Sequence, residues 1–225
     1  MKVSIWFVSI VALFVTCLIT ANILAVKLIA PFGFLLPAGV IIFPLSYLFG
    51  DVLTEVYGYQ AARFTIWLGF LCNLLVVIAF MIGGLMPAAS TWHNQDAYNV
   101  ILGLTPRILA ASFISYVCGE FANAFTMAKL KIATKGKWLW TRTIGSTIIG
   151  EGLDSLIFIS IVFWGMLPFP ILLTAIVTQW IFKVIYEIIA TPLTYAIVNF
   201  LKAREGMDIY DYDTNCNPFR LQQKG

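Results

Sequence analysis

The chain has 225 residues, of which 60% are hydrophobic and 11% charged, with a formal net charge of +3 and a mean hydropathy of +0.90. This is the composition of a membrane protein, not of a water-soluble globular domain. His93 is the only histidine, Cys17, Cys72, Cys118 and Cys216 form no CxxC pair, and no GxxxxGK[ST] loop is present. Those absences exclude a histidine-built metal site, a His-dependent triad, a disulfide framework and an ATP-binding P-loop.

The first apolar run is Val3 to Val26, preceded only by Lys2 and longer than a signal-peptide core, so it is expected to be a retained helix. Asn22 is its notable polar residue. Lys27 to Gly39 is a Pro/Gly-containing connection. A second span starts near Ala38, carries Pro44 and closes on Phe49-Gly-Asp-Val-Leu-Thr-Glu-Val-Tyr-Gly58. Asp51 and Glu55 share a face at i, i+4. Pro44 and Gly50 are expected to break this helix near the membrane interior, as in transporters whose discontinuous helices offer backbone groups to a ligand. Gln60 to Leu85 is a third span, nearly featureless except for Asn73, and Met86 to Thr105 reads as a polar loop without Lys or Arg.

Pro106 opens the fourth span, a position where its missing N–H is harmless. Ser112, Tyr116, Glu120 and Asn123 lie on one stripe of it. A basic loop with Lys129, Lys131, Lys135 and Lys137 follows, with Trp138 and Trp140 at the expected interface. The fifth span runs from Arg142 to Trp164. Thr147, Glu151, Asp154 and Phe158 share a face there, with Gly150 at its edge and small residues Gly145, Ser146 and Gly152 nearby. The sixth runs from about Ile171 to Leu201, carries Gln179, Lys183 and Glu187 at i, i+4, i+8, and contains Pro192, a candidate kink. A polar tail with Asp208, Asp211 and Asp213 ends the sequence.

The expected architecture is thus all-α and integral to the membrane: six transmembrane helices over residues 1–201 and a polar cytoplasmic tail over 202–225. Lys2, Arg63, the 129–142 group and the basic residues of the tail fall on one side, while Lys27 and Arg107 fall on the other. By the positive-inside rule both termini are cytoplasmic.

A carboxylate at mid-membrane is costly and must face protein or a water-filled cavity. Structural ion pairing, for example Lys183 with Glu187 within one turn, accounts for single residues. It does not account for the whole set, because buried pairs are often no better than apolar packing. Polar stripes on three helices imply a shared cavity with an acidic bias, suited to a cation, a proton relay or a heterocycle with N–H donors. A carboxylate would accept the adjacent N–H groups of a guanine-like edge, and a lysine would donate to its carbonyl. Tyr116, Phe158, Trp180 and Tyr186 are candidate stacking rings. Asp51 and Glu55 serve equally as gate, helix cap or site.

Asn22, the 49–58 segment, Arg-Ile-Leu-Ala-Ala-Ser-Phe (107–113), Arg-Thr-Ile-Gly-Ser-Thr with Gly-Glu-Gly-Leu-Asp-Ser (142–155), Phe182-Lys183 followed by Pro192, and Tyr-Asp-Tyr-Asp-Thr-Asn-Cys-Asn-Pro-Phe (210–219) together resemble the queuosine precursor transporter family, also called the vitamin uptake transporter family. Order and spacing carry this resemblance over nearly the whole chain. It implies import of 7-deazaguanine bases, such as pre-queuosine bases or queuine, across a bacterial inner membrane for tRNA modification. It also implies a fold similar to the S components of energy-coupling-factor transporters, and action without a known ATPase partner.

The expected substrate-binding residues are Asn22, Asp51, Arg107, Tyr116, Glu120, Asn123, Glu151, Asp154, Gln179 and Lys183. Glu151 and Asp154 are expected on the base, Glu120 and Asn123 on the opposite wall, and Lys183 orienting a carboxylate or donating to the ring carbonyl. The expected partners are the lipid bilayer and a small 7-deazaguanine substrate, with no nucleic acid, cofactor or metal and no catalytic residue; a homodimer stays open. The alternatives are a substrate-binding subunit for another vitamin-like heterocycle and an intramembrane enzyme, which lacks a recognisable nucleophile here.

Overall fold

A long apolar segment in lipid can satisfy its backbone only within itself, as a helix. The computed structural model describes residues 4–29, 36–103, 106–212 and 214–219. Its elements are α1 (Ile5–Leu24), α2 (Phe43–Leu85), α3 (Gln95–Leu102), α4 (Pro106–Ala133), α5 (Leu139–Phe163) and α6 (Phe169–Glu205). A two-residue antiparallel pair, β1 (Leu28–Ile29) with β2 (Leu36–Pro37), and a short 3₁₀ turn (Ala38–Ile41) link α1 to α2. Lys2, Asp213, Pro31 and Gly33 of the connection after the first run, and Arg220 and Lys224 of the tail lie outside the described residues. Five helices, all but α3, are long and apolar enough to cross a membrane. Leu71, Leu75, Ile82, Ile185 and Ile189 are exposed, whereas the carboxylates of α2, α4 and α5 are buried. That is the inverse of a soluble protein.

The element α2 is not one rod. Gly58, at φ 81° and ψ 170°, interrupts it in a region of backbone space open essentially to glycine alone. One phenyl ring shows the result: carbons of Phe14 lie 3.6 Å from where a Cβ on Gly50 would sit and 3.0 Å from where one on Gly69 would sit. In a straight helix those two glycines would be about 28 Å apart. The chain therefore doubles back at Gly58. Pro44 and Gly50 do not break the helix as the sequence suggested. Pro44 sits in the first turn, where its ring is tolerated, and Gly50 is helical, its missing side chain making room for Phe14 and Glu120.

One further expectation changes. The connection from Met86 onward is not all loop: α3 forms in it, and Tyr98 anchors it by donating from its hydroxyl to the Phe80 carbonyl at 2.9 Å. Pro192 lies inside a continuous α6, which ends on Gly206 in the left-handed region (φ 64°).

Helices α4 and α5 are joined by a tight turn and cross at two glycines. A Cβ on Gly150 would lie 2.8 Å from the Gly119 carbonyl oxygen, and one on Gly119 would lie 3.0 Å from the Gly150 carbonyl oxygen. This small-on-small contact brings backbones together where the hydrophobic effect gives helices no reason to associate.

Several basic residues assigned above to membrane sidedness prove to be internal. Arg63, Lys131 and Arg142 are at most 1% exposed. Arg142 grips buried Glu55 with two bonds, Nε to Oε2 at 3.1 Å and Nη2 to Oε1 at 2.8 Å. Lys202 reaches the same Oε1 at 2.7 Å. Lys131 donates to the Glu55 carbonyl at 2.5 Å and to Asp208 at 2.6 Å. Lys129, Lys135 and Lys137 remain exposed.

The segment after α6 folds back against the α2 turn. Tyr59, the first residue beyond Gly58, donates its N–H to Asp211 at 2.9 Å. Arg63 donates to the carbonyls of Asn215 and Asn217 at 2.8 and 2.9 Å, and the Trp67 indole donates to that of Pro218 at 2.8 Å. Asp211 thus supplies the acceptor that the restarted helix lacks within itself.

Two predictions follow from this end of the bundle. In Gly58→Ala the new Cβ would meet Ile209 Cγ2 at 2.8 Å on top of the forbidden dihedral, so a loss of about 1–3 kcal/mol is expected in thermal unfolding in detergent. For Asp208, burial pushes the carboxyl up, but hydrogen bonds and charge from Lys131 and Lys202 outweigh it and hold the carboxyl below its ordinary value. A depressed folded value gives stability that is present above the unfolded value of about 4 and is lost as pH falls through the folded one. Asp208→Asn should melt lower than wild type near neutral pH, and the two curves should converge in acid; a persistent gap there would discard this account.

Candidate functional site

The first half of α2 carries Phe43, Tyr47, Asp51 and Glu55 at successive i, i+4 positions, a single stripe. It faces Glu120 and Asn123 on α4, the Glu151–Asp154 face of α5, and Lys183 and Glu187 on α6. Asp51, Glu120, Asn123, Glu151, Asp154, Lys183 and Glu187 are all at most 4% exposed.

Lys183 organises the cluster. Its ammonium donates to Glu151 Oε2 and to Asp154 Oδ2, each at 2.5 Å, joining α6 to two successive turns of α5. The Phe43 ring covers the same ammonium at 4.6 Å from its centroid, a cation–π contact. On the α4 side Asn123 donates from Nδ2 to Asp51 Oδ1 at 2.6 Å. The Tyr47 hydroxyl reaches the glycine crossing, lying 2.7 Å from the Cβ position of Gly119, beside the Asp154 Cβ.

Many of these groups have unused hydrogen-bonding capacity. Tyr47 Oη, Asp51 Oδ2, Glu120 Oε1, Asn123 Oδ1, Thr147 Oγ1, Ser155 Oγ and Glu187 Oε1 are buried with no partner in the protein. Orphaned buried polar atoms are rare, because each costs roughly 1–3 kcal/mol. Seven around one lysine–dicarboxylate centre leave hydrogen-bonding capacity that a polar molecule could use. The set offers acceptors for N–H groups, a cationic donor for a carbonyl, and the rings of Phe43 and Tyr47 for a flat apolar face.

Not every residue singled out from sequence joins this cluster. Asp51, Glu120, Asn123, Glu151, Asp154 and Lys183 do. Gln179 is buried on α6 one turn before Lys183. Asn22 instead accepts from Ser112 Oγ at 3.1 Å and lines a separate cleft with Asn73, Val77 and Phe80. Tyr116 is buried but aimed away: its hydroxyl donates to the Ile66 carbonyl at 2.9 Å and packs the second half of α2. Arg107 lies in the first turn of α4, and its side chain falls outside the described residues.

Two of the other candidate stacking rings, Trp180 and Phe158, are likewise engaged elsewhere. Trp180 donates to the Ile148 carbonyl at 3.0 Å across Gly152, and Phe158 packs in a satellite cluster around Ile159 and Leu172. The aromatic wall comes from Phe43 and Tyr47, which the sequence reading missed. Their spacing ahead of Asp51 was the available signal. Glu55 resolves as the centre of the second charged network and is not part of this cluster.

Removing the cation tests the arrangement. Lys183→Met leaves two buried carboxylates unpaired and should cost about 3–5 kcal/mol, read as a lowered melting temperature in detergent. The triple variant with Glu151→Gln and Asp154→Asn should recover much of that loss, since the three groups act as one unit. Equal stability of Lys183→Met and wild type would refute the pairing.

Residues 37–197 match the sequence profile of the family described as "Putative vitamin uptake transporter". A Bacillus subtilis (strain 168) protein named "Probable queuosine precursor transporter" is 28% identical over 181 residues, covering 79% of this chain and 78% of the relative. An Escherichia coli (strain K12) protein named "Queuosine precursor transporter" is 29% identical over 154 residues, covering 68% and 67% respectively. No solved structure matches the chain.

Proposed function

We propose, given that this chain belongs to the vitamin uptake transporter family, that it imports queuosine precursors, the 7-deazaguanine bases, through the site centred on Lys183. The observation that carries the reading is the set of buried, unpartnered polar atoms around a lysine held by two carboxylates. The names of the two relatives point to the same substrate class.

In this reading the two halves of α2 each cross the bilayer, so the chain has six spans with both termini in the cytoplasm of a bacterium. The 202–225 segment is then a cytoplasmic tail, its described residues closing the inner end. The likeness to the S components of energy-coupling-factor transporters belongs to the same proposal.

The chemistry of recognition follows from the donor set. A 7-deazaguanine presents a ring N–H and an exocyclic NH₂ side by side, which one carboxylate accepts as a pair. Asp154 or Glu151 provides that carboxylate, and Lys183 turns toward the ring carbonyl. The base thereby replaces one arm of the lysine bridge, with Phe43 and Tyr47 against its flat face. Glu120 and Asn123 bound the opposite wall. Binding thus changes the link between α5 and α6, the kind of element an alternating-access cycle needs. The Glu55–Arg142–Lys202–Lys131 network closes the inner end and is the barrier that must loosen for release.

The test uses a bacterial strain that can neither make the precursor nor import it. Expression of this chain with low concentrations of a pre-queuosine base or queuine should restore queuosine in tRNA. Asp154→Asn, present in the membrane at normal abundance, should lower restoration roughly tenfold or more, the loss of a charged hydrogen bond. No restoration by the wild-type chain with any precursor would refute the substrate assignment.

A further inference from the structure

The chain makes its turn at Gly58 and later binds that turn again with its tail. On one side Ile209 donates its N–H to the Val56 carbonyl at 3.4 Å, at the end of the first half of α2. On the other, Asp211 accepts the Tyr59 N–H at the start of the second half. Ile209 also lies against Gly58 itself, its Cγ2 2.8 Å from where a Cβ would sit. The tail thus straddles the residue of α2 whose backbone is not helical.

Two lysines extend the grip. Lys131 of α4 and Lys202 of α6 each pair with Asp208, at 2.6 and 2.8 Å, and each also reaches Glu55. Glu55 ends the stripe that begins at Phe43, so shared cations tie the tail to the helix that walls the site. Beyond Asp211 the tail follows the second half of α2. Tyr59, Arg63 and Trp67, at i, i+4, i+8, donate to the carbonyls of Asn215, Cys216, Asn217 and Pro218.

This docking has the character of a reversible contact. It is made largely through backbone carbonyls, while Ile209, Tyr212 and Phe219 are exposed. Arg63 is completely buried, yet among the described residues no carboxylate forms an ion pair with it. Its Nε and Nη2 have no partner, although Arg142 uses that same edge to grip Glu55. A buried guanidinium with two nitrogens unmet is costly, and water would meet them once the tail lifted. Segments held by few buried apolar contacts are the ones that open locally while the rest of a protein stays folded.

We propose that residues 207–212 and 214–219 form a strap across the Gly58 hinge and act as the inner gate of the transporter. The inference rests on the transporter reading above, with this end in the cytoplasm, and adds the moving part. Docked, the strap fixes the angle between the two halves of α2 and keeps the site shut from the cytoplasm. Lifted, it leaves the Tyr59 N–H uncapped and Gly58 free to change its dihedrals, as hinge residues do. The first half of α2 then swings and takes Phe43 and Tyr47 away from the base. Release therefore follows strap opening.

Cys216 is a native reporter, half-buried against the cluster that contains Tyr59 and Ala62. The full chain, carrying Cys17→Ala, Cys72→Ala and Cys118→Ala, is reconstituted in liposomes. Exchange of internal for external labelled 7-deazaguanine base tests transport itself. A membrane-impermeant maleimide reports the strap on molecules whose cytoplasmic end faces the medium. Its reaction with Cys216 should be slow without base and faster when base is present on both sides.

Asp211→Ala removes the cap and should speed the base-free reaction about fivefold, the contribution of one helix cap. Uptake should fall in this variant while base is still bound in detergent, since Asp211 lies outside the site. Trp67→Phe keeps a ring and drops the bond to Pro218; it should shift both readouts the same way and serves if the first variant does not fold. Exchange with Cys216 labelling indifferent to base would overturn the strap and leave the transporter reading intact. So would variants that label fast yet carry base at the parental rate, the behaviour of a purely structural tail. Equal labelling of the parent and both variants would overturn docking as the closed state. Absence of exchange in the parent would overturn the transporter reading and this one with it.

Discussion

An ammonium held between two carboxylates, out of reach of water, is the constraint from which much of this molecule follows. Lys183 can stay charged on α6 because Glu151 and Asp154 are one turn apart on the facing side of α5. Those two acids in turn tolerate burial because the lysine is there. The geometry fixes the separation and rotation of α5 against α6. Gly119 and Gly150 then let α4 come close enough to carry Glu120 and Asn123 to the same level. Phe43 closes the remaining side over the ammonium.

The first half of α2 connects this centre to a second one. Its stripe passes Lys183 at Phe43, the glycine crossing at Tyr47, and the α4 amide at Asp51, then enters the Arg142–Lys202–Lys131 network at Glu55. The two networks differ in kind. Around Glu55 the positive groups outnumber the negative ones and both of its carboxylate oxygens have donors, the character of a structural bolt. Around Lys183 the acids outnumber the single base and several oxygens have none. Polar groups left unsatisfied are concentrated where a ligand is proposed, and satisfied ones where the bundle is pinned.

Much of the helical layout was legible from apolar run length alone, since lipid leaves the backbone few options. The α5 stripe and Lys183 were legible for a related reason: an acid in mid-run must face protein. Periodicity says which face a residue occupies and not what stands opposite it. Tyr116 shares a stripe with Glu120, yet its longer side chain reaches past the cluster to the Ile66 carbonyl. Lys131 and Arg142 read as membrane-side charges because the Asp208 and Ile209 that cover Lys131 lie more than seventy residues further along. The break at Gly58 was visible as a glycine, but its role depends on a dihedral angle and on a tail residue that supplies the missing cap.

The tail contact also sets a schedule for making the protein. Tyr59 and its cap Asp211 are 152 residues apart, an interval of roughly 8–30 s at about 5–20 residues per second of synthesis. For that time the helical hairpin around Gly58 sits in the nascent bundle with Arg63 lacking its carbonyl partners and Tyr59 lacking its acceptor. The stretch around Asp211 to Asn217 thus completes a hairpin made some 150 residues earlier. A chain interrupted before that point would leave without those partners an arginine that the finished fold buries completely.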